Sequence, residues 1–153
     1  QKAFAFHNEP GHFQGIVWGT DIRDLDDMVL HEDGGDSKFY RRQGDAVMIG
    51  AANLESCNYI FYRERLYKVF IEFTSLSNAH AIKNFLFQNY GEGLSLRLGR
   101  NVKAYQWSGS LIDIRYDFGE ASNKGTLTYV YKPIEQEKES NEEKGPKRDA
   151  PDS

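Results

Sequence analysis

The most regular alternation of hydrophobic and polar positions lies near the middle of the chain, over residues 57–74. Its second half divides into two sets of side chains on opposite faces of a strand: Tyr67, Val69, Ile71 and Phe73 on one, and Lys68, Phe70 and Glu72 on the other. A period of two with β-branched and aromatic residues is typical of a half-buried strand. The first half, residues 57–62, is apolar on both faces, which favours a strand inside the sheet. With the polar turn at residues 63–65, the two halves predict an antiparallel hairpin.

Helical spacing of apolar residues occurs in two segments, one on each side of this hairpin. Residues 21–29 carry apolar side chains at that spacing, and Thr20 and Asp21 before them suit the start of a helix. Residues 77–90 carry a longer apolar stripe, which begins at Ser77 and ends before Gly91. Ser is a good N-cap and Gly a common C-terminal stop. The sequence therefore predicts two helices.

Shorter alternating runs predict further strands at residues 38–42, 46–49, 103–107, 112–116 and 127–131. The segment 31–37, HEDGGDS, is predicted to be a loop. The resulting fold class is α+β, with a mostly antiparallel sheet of about six strands and two helices on one face. Because a helix followed by strands occurs in each half, we also predict two α-β-β-β pseudo-repeats. Helices on opposite faces of the sheet would contradict that duplication.

Length and composition predict one domain with an irregular start and a polar end. A chain of 153 residues is long enough for one sizeable core. Residues 133–153 contain no aromatic residue and mix Glu, Lys, Ser and Pro, a composition that buries too little apolar surface to fold. We predict an irregular lead-in at residues 1–12, a single α+β domain at residues 13–132 and a disordered charged tail at residues 133–153.

The charge distribution argues against two classes of partner. The net charge is −4, and most of it belongs to the tail. The nearly neutral body offers no long-range attraction for nucleic acid or for anionic lipid. No apolar run reaches the roughly 18 residues that a membrane span requires. We therefore predict no nucleic-acid partner and no membrane span, and the pattern specifies no oligomeric state.

Charged and aromatic side chains are expected together on the sheet face that the helices leave open. If the alternation holds, this face carries Phe70, Glu72, Asp113 and Arg115, with Asp117 beside them. Neighbouring carboxylates can do acid–base chemistry, as in a hydrolase, but they more often form charge pairs across strands. A face with one aromatic ring and mixed charge is also a reasonable binding surface. We therefore predict that four of these residues bind a ligand: Phe70, Glu72, Asp113 and Arg115.

A candidate cation site lies in the acidic loop at residues 31–36. Asp33 and Asp36 flank two glycines and offer carboxylate oxygens, which Ca²⁺ prefers as ligands. The EF-hand pattern of acids at alternate positions with a closing Glu is absent. A solvated acidic surface with a glycine-rich turn is the alternative interpretation.

The sequence contains no motif for catalysis or for a cofactor. Gly-x-Ser-x-Gly, the P-loop and the dinucleotide-binding fingerprint are all missing. The histidines lack the helical spacing that places two metal ligands on one face. Cys57 lies in an apolar strand, where a free thiol is usually a small buried hydrophobe. We predict no cofactor and no catalytic residue.

The segment Phe13–Thr20, FQGIVWGT, resembles the opening of an uncharacterised family of small exported bacterial proteins. Those proteins begin with a Phe-x-Gly-Ile-x-Trp-Gly-Thr-like segment after a signal peptide. A later Tyr-x-Phe…Leu-Tyr-x-Val-x-Ile-x-Phe pattern, matched between Tyr59 and Phe73, is similar too. The resemblance implies a periplasmic or secreted location and no particular activity. A first residue Gln1 agrees with a signal peptide that has been removed, and equally with a chosen chain boundary.

Three functional interpretations follow. The first is a non-enzymatic binding or accessory module of the bacterial envelope, which recognises a protein or small-molecule ligand with its open sheet face or aromatic loops. The second is a hydrolase-like enzyme, which would require two carboxylates facing each other in a deep pocket with few basic neighbours. The third is a metal-binding module that uses the loop at residues 31–36.

Overall fold

The computed structural model of the protein describes residues 6–44 and 48–149, and the last five of these by their backbone alone. The strands over these residues are β1 (His12–Phe13), β2 (Ile16–Val17), β3 (Met28–Gly34), β4 (Ser37–Arg42), β5 (Met48–Ile49), β6 (Ala52–Asn53), β7 (Ser56–Tyr62), β8 (Arg65–Thr74), β9 (Leu94–Leu96), β10 (Val102–Ser108), β11 (Ile112–Gly119) and β12 (Lys124–Tyr131). The helices are α1 (Leu76–Tyr90) and α2 (Lys132–Asp149).

The main sheet has eight strands in the order β3-β4-β7-β8-β12-β11-β10-β9, and all neighbours are antiparallel. It consists of two four-stranded meanders whose last strands, β8 and β12, pair at the centre. The predicted α+β class with a mostly antiparallel sheet is confirmed, but the sheet has eight strands rather than about six. The two that the prediction lacks are the edge strands β3 and β9.

The central hairpin has the predicted strands and turn, with one side chain on the other face. β7 lies between β4 and β8, inside the sheet as expected, and residues 63–64 form the turn with positive φ. A β-bulge interrupts the pairing opposite Tyr67. Because a bulge adds one residue to a strand, Tyr67 turns to the face of Tyr62, so its predicted orientation is wrong. The other three residues that were predicted to share a face with Tyr67 lie together in the main core, as expected: Val69, Ile71 and Phe73.

α1 covers the main core on one face of the sheet. Its N-cap is Ser75 rather than the predicted Ser77, and the Ser75 hydroxyl accepts a hydrogen bond from the N–H of Asn78. The helix ends before Gly91, as predicted. The buried stripe that holds it to the sheet is Ala79, Ile82 and Leu86.

The predicted helix over residues 21–29 is wrong. A short 3₁₀ turn forms at Ile22–Asp24, and from Met28 the chain is extended and pairs with β4 as the edge strand β3. The predicted loop at residues 31–37 is also wrong, because β3 continues to Gly34 and turns directly into β4. β3 has no buried residue. Because no face of β3 is buried, its apolar side chains need not alternate along the strand. This explains why the sequence pattern indicated a helix instead.

Of the predicted disordered tail at residues 133–153, the part up to Asp149 belongs to α2, which begins at Lys132. Residues 150–153 lie outside the described part of the chain. Ile134 of α2 is 4% exposed and packs on a small apolar cluster of the sheet. An ion pair of 2.7 Å between Arg65 and Glu137 adds to this contact. Together with a hydrogen bond of 2.9 Å from the Asn141 side chain to the Tyr62 hydroxyl, these contacts hold against the sheet a helix whose composition resembles a disordered tail.

The two helices lie on opposite faces of the sheet. Side chains of α1 belong to the main core, whereas Ile134 of α2 belongs to the separate cluster behind β7 and β8. The prediction of both helices on one face is therefore wrong, and the predicted α-β-β-β duplication is contradicted. What repeats is a four-stranded meander followed by a helix. Neither described helix combines the length and apolar character that crossing a membrane requires.

Residues 6–12, the described part of the predicted lead-in, are attached to the domain at two points. The Glu9 carboxylate accepts hydrogen bonds from the backbone N–H groups of Leu111 at 2.5 Å and Ile112 at 2.6 Å. The backbone N–H of His7 donates to the carbonyl of the last residue of α1 at 2.9 Å. This segment therefore runs from the end of α1 to the β10–β11 turn.

Candidate functional site

The predicted ligand-binding residues lie on one face of the sheet, opposite α1. Phe70 of β8 pairs with Thr128 of β12, which pairs in turn with Arg115 of β11. Glu72 and Asp113 each lie two positions from a member of this row, so their side chains point to the same face. The register thus brings all four predicted side chains to one side of the sheet, on β8 and β11, the two strands that flank β12.

We use the term polar face for the open part of this surface. It comprises side chains from the adjacent strands β7, β8, β12 and β11: Asn58, Phe70, Glu72, Arg115, Asp117, Thr126 and Thr128. Neighbouring strands lie about 4.8 Å apart, so four strands present a strip roughly 15 Å wide. α2 begins beyond one end of the polar face, where its first residue approaches Asp113.

Phe70 supplies the aromatic ring of the polar face, next to a fixed amide. The ring is half-buried, with one side against the cluster beneath α2. The Asn58 side chain accepts a hydrogen bond from Nε of Arg41 at 3.0 Å and donates to the carbonyl of Phe70 at 3.4 Å. Asn58 is 6% exposed, and a buried amide with both ends paired is held in one orientation. The amide beside the ring is therefore fixed.

The two carboxylates of the polar face each have a polar partner. Glu72 accepts a hydrogen bond from the Ser56 hydroxyl at 2.7 Å. Asp117 accepts two hydrogen bonds from Arg115, the shorter of them at 2.9 Å. The Arg115 and Asp117 side chains are 39% and 30% exposed, so this ion pair lies at the surface and is accessible to a ligand.

Asp113 lies at the border with α2 rather than within the polar face. One of its carboxylate oxygens, Oδ1, is 3.6 Å from the ammonium group of Lys132, the first residue of α2. The same oxygen is buried and has no hydrogen-bond partner among the described residues. Asp113 therefore faces the start of the helix, and its predicted role in ligand binding stays a prediction.

A cavity of about 430 Å³ lies at the end of the polar face away from α2. Glu72, Asp117 and Thr126 line it, together with Glu55 and Lys124. The acidic side chains are spread around the opening: within the described ranges, no three His, Cys, Asp or Glu residues come close enough together to hold a metal ion. The cavity is a recess of mixed polar and apolar lining that extends the polar face.

The residues of the predicted cation site make local contacts in the β3–β4 turn. Asp33 accepts a hydrogen bond from the N–H of Gly35 at 2.9 Å. Asp36 lies 3.5 Å from the guanidinium group of Arg63. Both carboxylates are exposed. Asp33 stabilises the β3–β4 turn, and Asp36 contacts Arg63 in the neighbouring β7–β8 turn. The structure offers no support for the metal-binding interpretation.

The arrangement suits binding better than acid–base catalysis. Glu72 and Asp117 belong to strands on either side of β12, so their backbones are roughly 10 Å apart. Asp117 is paired with Arg115 on an open surface. A hydrolase that uses this pair would need carboxylates with few basic neighbours, whereas Asp117 is bonded to Arg115.

Three residues of the polar face did not stand out in the sequence, namely Asn58, Thr126 and Thr128. A signal was present for each of them. The two threonines alternate with Leu127 and Tyr129, which places them on the face opposite the core. Asn58 is the one strongly polar residue in the apolar run of β7.

Comparison with protein-family models, with curated proteins and with solved structures finds no match for this chain.

Proposed function

We propose that this protein is a non-enzymatic binding module of the bacterial envelope, and that its polar face binds a glycan chain. The observation that carries the proposal is the position of Phe70, a half-buried ring in a row of hydrogen-bonding side chains. Sugar rings present C–H groups to aromatic faces and hydroxyl groups to polar side chains. A half-buried ring beside paired donors and acceptors matches both requirements.

The hydrogen-bonding groups of the polar face are of the kinds that sugar hydroxyls use. Arg115 donates, Glu72 and Asp117 accept, and Thr126 and Thr128 can do either. Their ion pair and hydrogen bonds hold the charged side chains in place. Because these groups are already oriented, a ligand that bonds to them orders few additional side chains on binding.

The same composition argues against two other classes of partner. Protein interfaces are depleted of Glu, Asp, Ser and Lys and enriched in large aromatic residues, whereas the polar face has one aromatic ring among carboxylates and hydroxyls. Nucleic acids require a basic surface that neutralises phosphates, and here Arg115 is paired with Asp117. A polar ligand that is rich in hydroxyl groups fits this composition.

The proposal is tested by calorimetric titration of the protein with soluble glycans. Three are used: glycan strands from peptidoglycan, the core oligosaccharide of lipopolysaccharide, and dextran as a reference. Phe70→Ala removes the ring, and Thr128→Arg places a long charged side chain in the middle of the polar face. The matched control is His80→Arg, which introduces the same residue at an exposed position of α1, on the other face of the sheet.

We expect at least one envelope glycan to bind the wild type and the His80→Arg variant equally. Both substitutions on the polar face should weaken this binding by about tenfold or more, because each one removes or blocks the contact with the Phe70 ring and the polar groups beside it. Equal binding by Thr128→Arg and His80→Arg would contradict the proposal, as would a lack of heat with all three glycans.

A further inference from the structure

A second cavity, of about 500 Å³, lies on the α1 side of the sheet, away from the polar face. Its walls come from residues 8–14, β5, the C-terminal half of α1 and β12. Three of its lining side chains are buried in the main core: Phe13, Ile49 and Tyr129. A cavity of this size is within the range that accommodates small-molecule ligands, roughly 300–1,000 Å³.

Aromatic rings dominate the inner wall. The rings of Phe13 and Tyr129 lie 5.2 Å apart at a tilted angle, and those of Phe85 and Tyr90 lie 6.3 Å apart, edge to face. Aromatic groups prefer such offset and edge-to-face arrangements to flat sandwiches. A planar ligand ring would therefore find both faces and edges as partners within the cavity.

The described polar groups of the cavity include no carboxylate, ammonium or guanidinium group. Within residues 6–44 and 48–149, the lining contains no Asp, Glu, Lys or Arg side chain, and the rim carries Asn8, Gln14 and Asn89 with one imidazole, that of His12. Moving an unpaired ion into such surroundings costs several kcal/mol. The lining thus selects against ions and in favour of a neutral molecule.

A pair of tyrosines gives the cavity a specific hydrogen-bonding site. Tyr90 and Tyr129 both line the cavity, and their hydroxyl groups interact with each other. Burial raises the pKa of both tyrosines, so both hydroxyls stay protonated at neutral pH. A tyrosine hydroxyl can both donate and accept hydrogen bonds, so two neighbouring hydroxyls have bonding capacity beyond their mutual contact. A hydroxyl or carbonyl group on the ligand can use them.

We propose that this cavity is a second binding site, for an uncharged aromatic small molecule that carries a hydroxyl or carbonyl group. The carrying observation is the convergence of rings and the tyrosine pair in a cavity whose described lining has no Asp, Glu, Lys or Arg. The site is independent of the polar face, since it lies on the other side of the sheet and shares no lining residue with it.

The test uses three probes of one shape: 2-naphthol, naphthalene and naphthalene-2-sulfonate. Saturation-transfer NMR and calorimetry measure their binding to the full chain. Asn89→Trp fills the rim of the cavity, and Gln88→Trp places the same ring on the neighbouring exposed position of α1, outside the lining. Tyr90→Phe removes one hydroxyl and keeps the ring. Circular dichroism confirms that each variant is folded.

We expect 2-naphthol to bind more tightly than naphthalene, and the sulfonate to bind weakest. Asn89→Trp should weaken 2-naphthol binding by about tenfold or more, while Gln88→Trp leaves it unchanged. Tyr90→Phe should reduce 2-naphthol affinity about fivefold, the effect of one lost hydrogen bond, and leave naphthalene affinity nearly constant. Undetectable 2-naphthol binding would overturn the proposal. So would sulfonate binding as tight as that of 2-naphthol, or equal effects of the two Trp substitutions.

Discussion

Gly125 shows at the scale of one residue how β12 is fitted against β8. It lies directly opposite Phe73, whose ring covers the place where a side chain would be. A Cβ at Gly125 would clash with the Phe73 ring and would approach the carbonyl oxygen of Asp117 to 2.7 Å. The ring of Phe73 is itself stacked on Tyr116 and Phe118. It therefore has little freedom to move away.

Replacing Gly125 by Ala should destabilise the protein by about 1–3 kcal/mol, because the added methyl group overpacks a rigid aromatic cluster. The matched control is Gly11→Ala, since a Cβ at exposed Gly11 meets no atom within 4 Å and should change stability by no more than about 0.5 kcal/mol. Urea unfolding of both variants measures the difference. Equal midpoints would show that the cluster relaxes freely.

Glu9 is the second residue whose role is visible in the structure alone. Partial burial would raise its pKa, but hydrogen bonds from the N–H groups of Leu111, Ile112 and Ser110, and from the Ser110 hydroxyl, lower the pKa below its ordinary value of 4.5. A carboxylate with a lowered pKa stabilises the fold above its unfolded pKa. This contribution is lost as the pH falls through the lowered folded pKa.

Glu9→Gln should therefore reduce the free energy of unfolding at pH 7 by about 1 kcal/mol, a modest value because the group is largely solvated. The difference from wild type should shrink as the pH falls below 4.5, where the wild-type carboxylate is protonated in the unfolded chain. Glu92→Gln, at an exposed site, serves as control. Unfolding free energies that differ by the same amount at pH 7 and pH 3 would contradict this account.

The residue scale also shows what the sequence can and cannot reveal. The alternation of β8 placed Phe70 and Glu72 correctly, because both lie after the bulge. The same alternation misplaced Tyr67, because a bulge depends on pairing with β7, which lies elsewhere in the sequence. The contact of Glu9 with Leu111 joins positions far apart in the chain and leaves no local pattern.

Among the elements, α1 was predictable and β3 was not. α1 buries a periodic stripe against the sheet, and a buried stripe must follow the helical period. β3 is an edge strand with no buried residue, so its side chains carry no period that distinguishes it from a helix. The hydrogen bonds to β4 decide its structure, and those are not local.

The cap of α1 offers a test at this scale. Ser75 has φ 83° and accepts a hydrogen bond from Asn78. Ser75→Ala loses the cap and keeps the strained backbone, so it should cost about 1 kcal/mol. Ser75→Gly loses the cap but suits the positive φ, so it should cost only a few tenths of a kcal/mol. Thermal unfolding of the pair checks this order. A Gly variant less stable than the Ala variant would contradict this account, because both lack the hydroxyl and only Gly suits the positive φ.

The attachment of α2 rests largely on Ile134, the buried apolar residue of its first turn. Ile134→Ala should release the helix from the sheet while the main core stays intact. Hydrogen exchange should then accelerate by about tenfold or more in α2 and remain unchanged in α1 and β12. Gln136→Ala, at an exposed position of the same helix, should have no such effect. If hydrogen exchange in α2 is unchanged in the Ile134→Ala variant, the polar contacts of α2 are enough to hold it on the sheet.

For the whole molecule, composition and pattern predicted the α+β class and the six inner strands of the sheet. They did not predict that the last strands of the two meanders pair, because strand order depends on contacts between distant segments. They also could not place a helix on each face, since the small cluster under α2 combines residues from four separate elements. The two faces consequently differ: one carries the polar face, and the other the aromatic cavity.

The most direct test of the account is a ¹⁵N–¹H NMR titration of the protein with soluble glycan strands from peptidoglycan and with the lipopolysaccharide core oligosaccharide. We predict that amide shifts concentrate in β7, β8, β12 and β11 around Phe70, Thr126 and Thr128, and that residues of α1 stay unchanged. Shifts centred on α1 and residues 8–14, or no shifts with either glycan, would contradict a glycan site on the polar face.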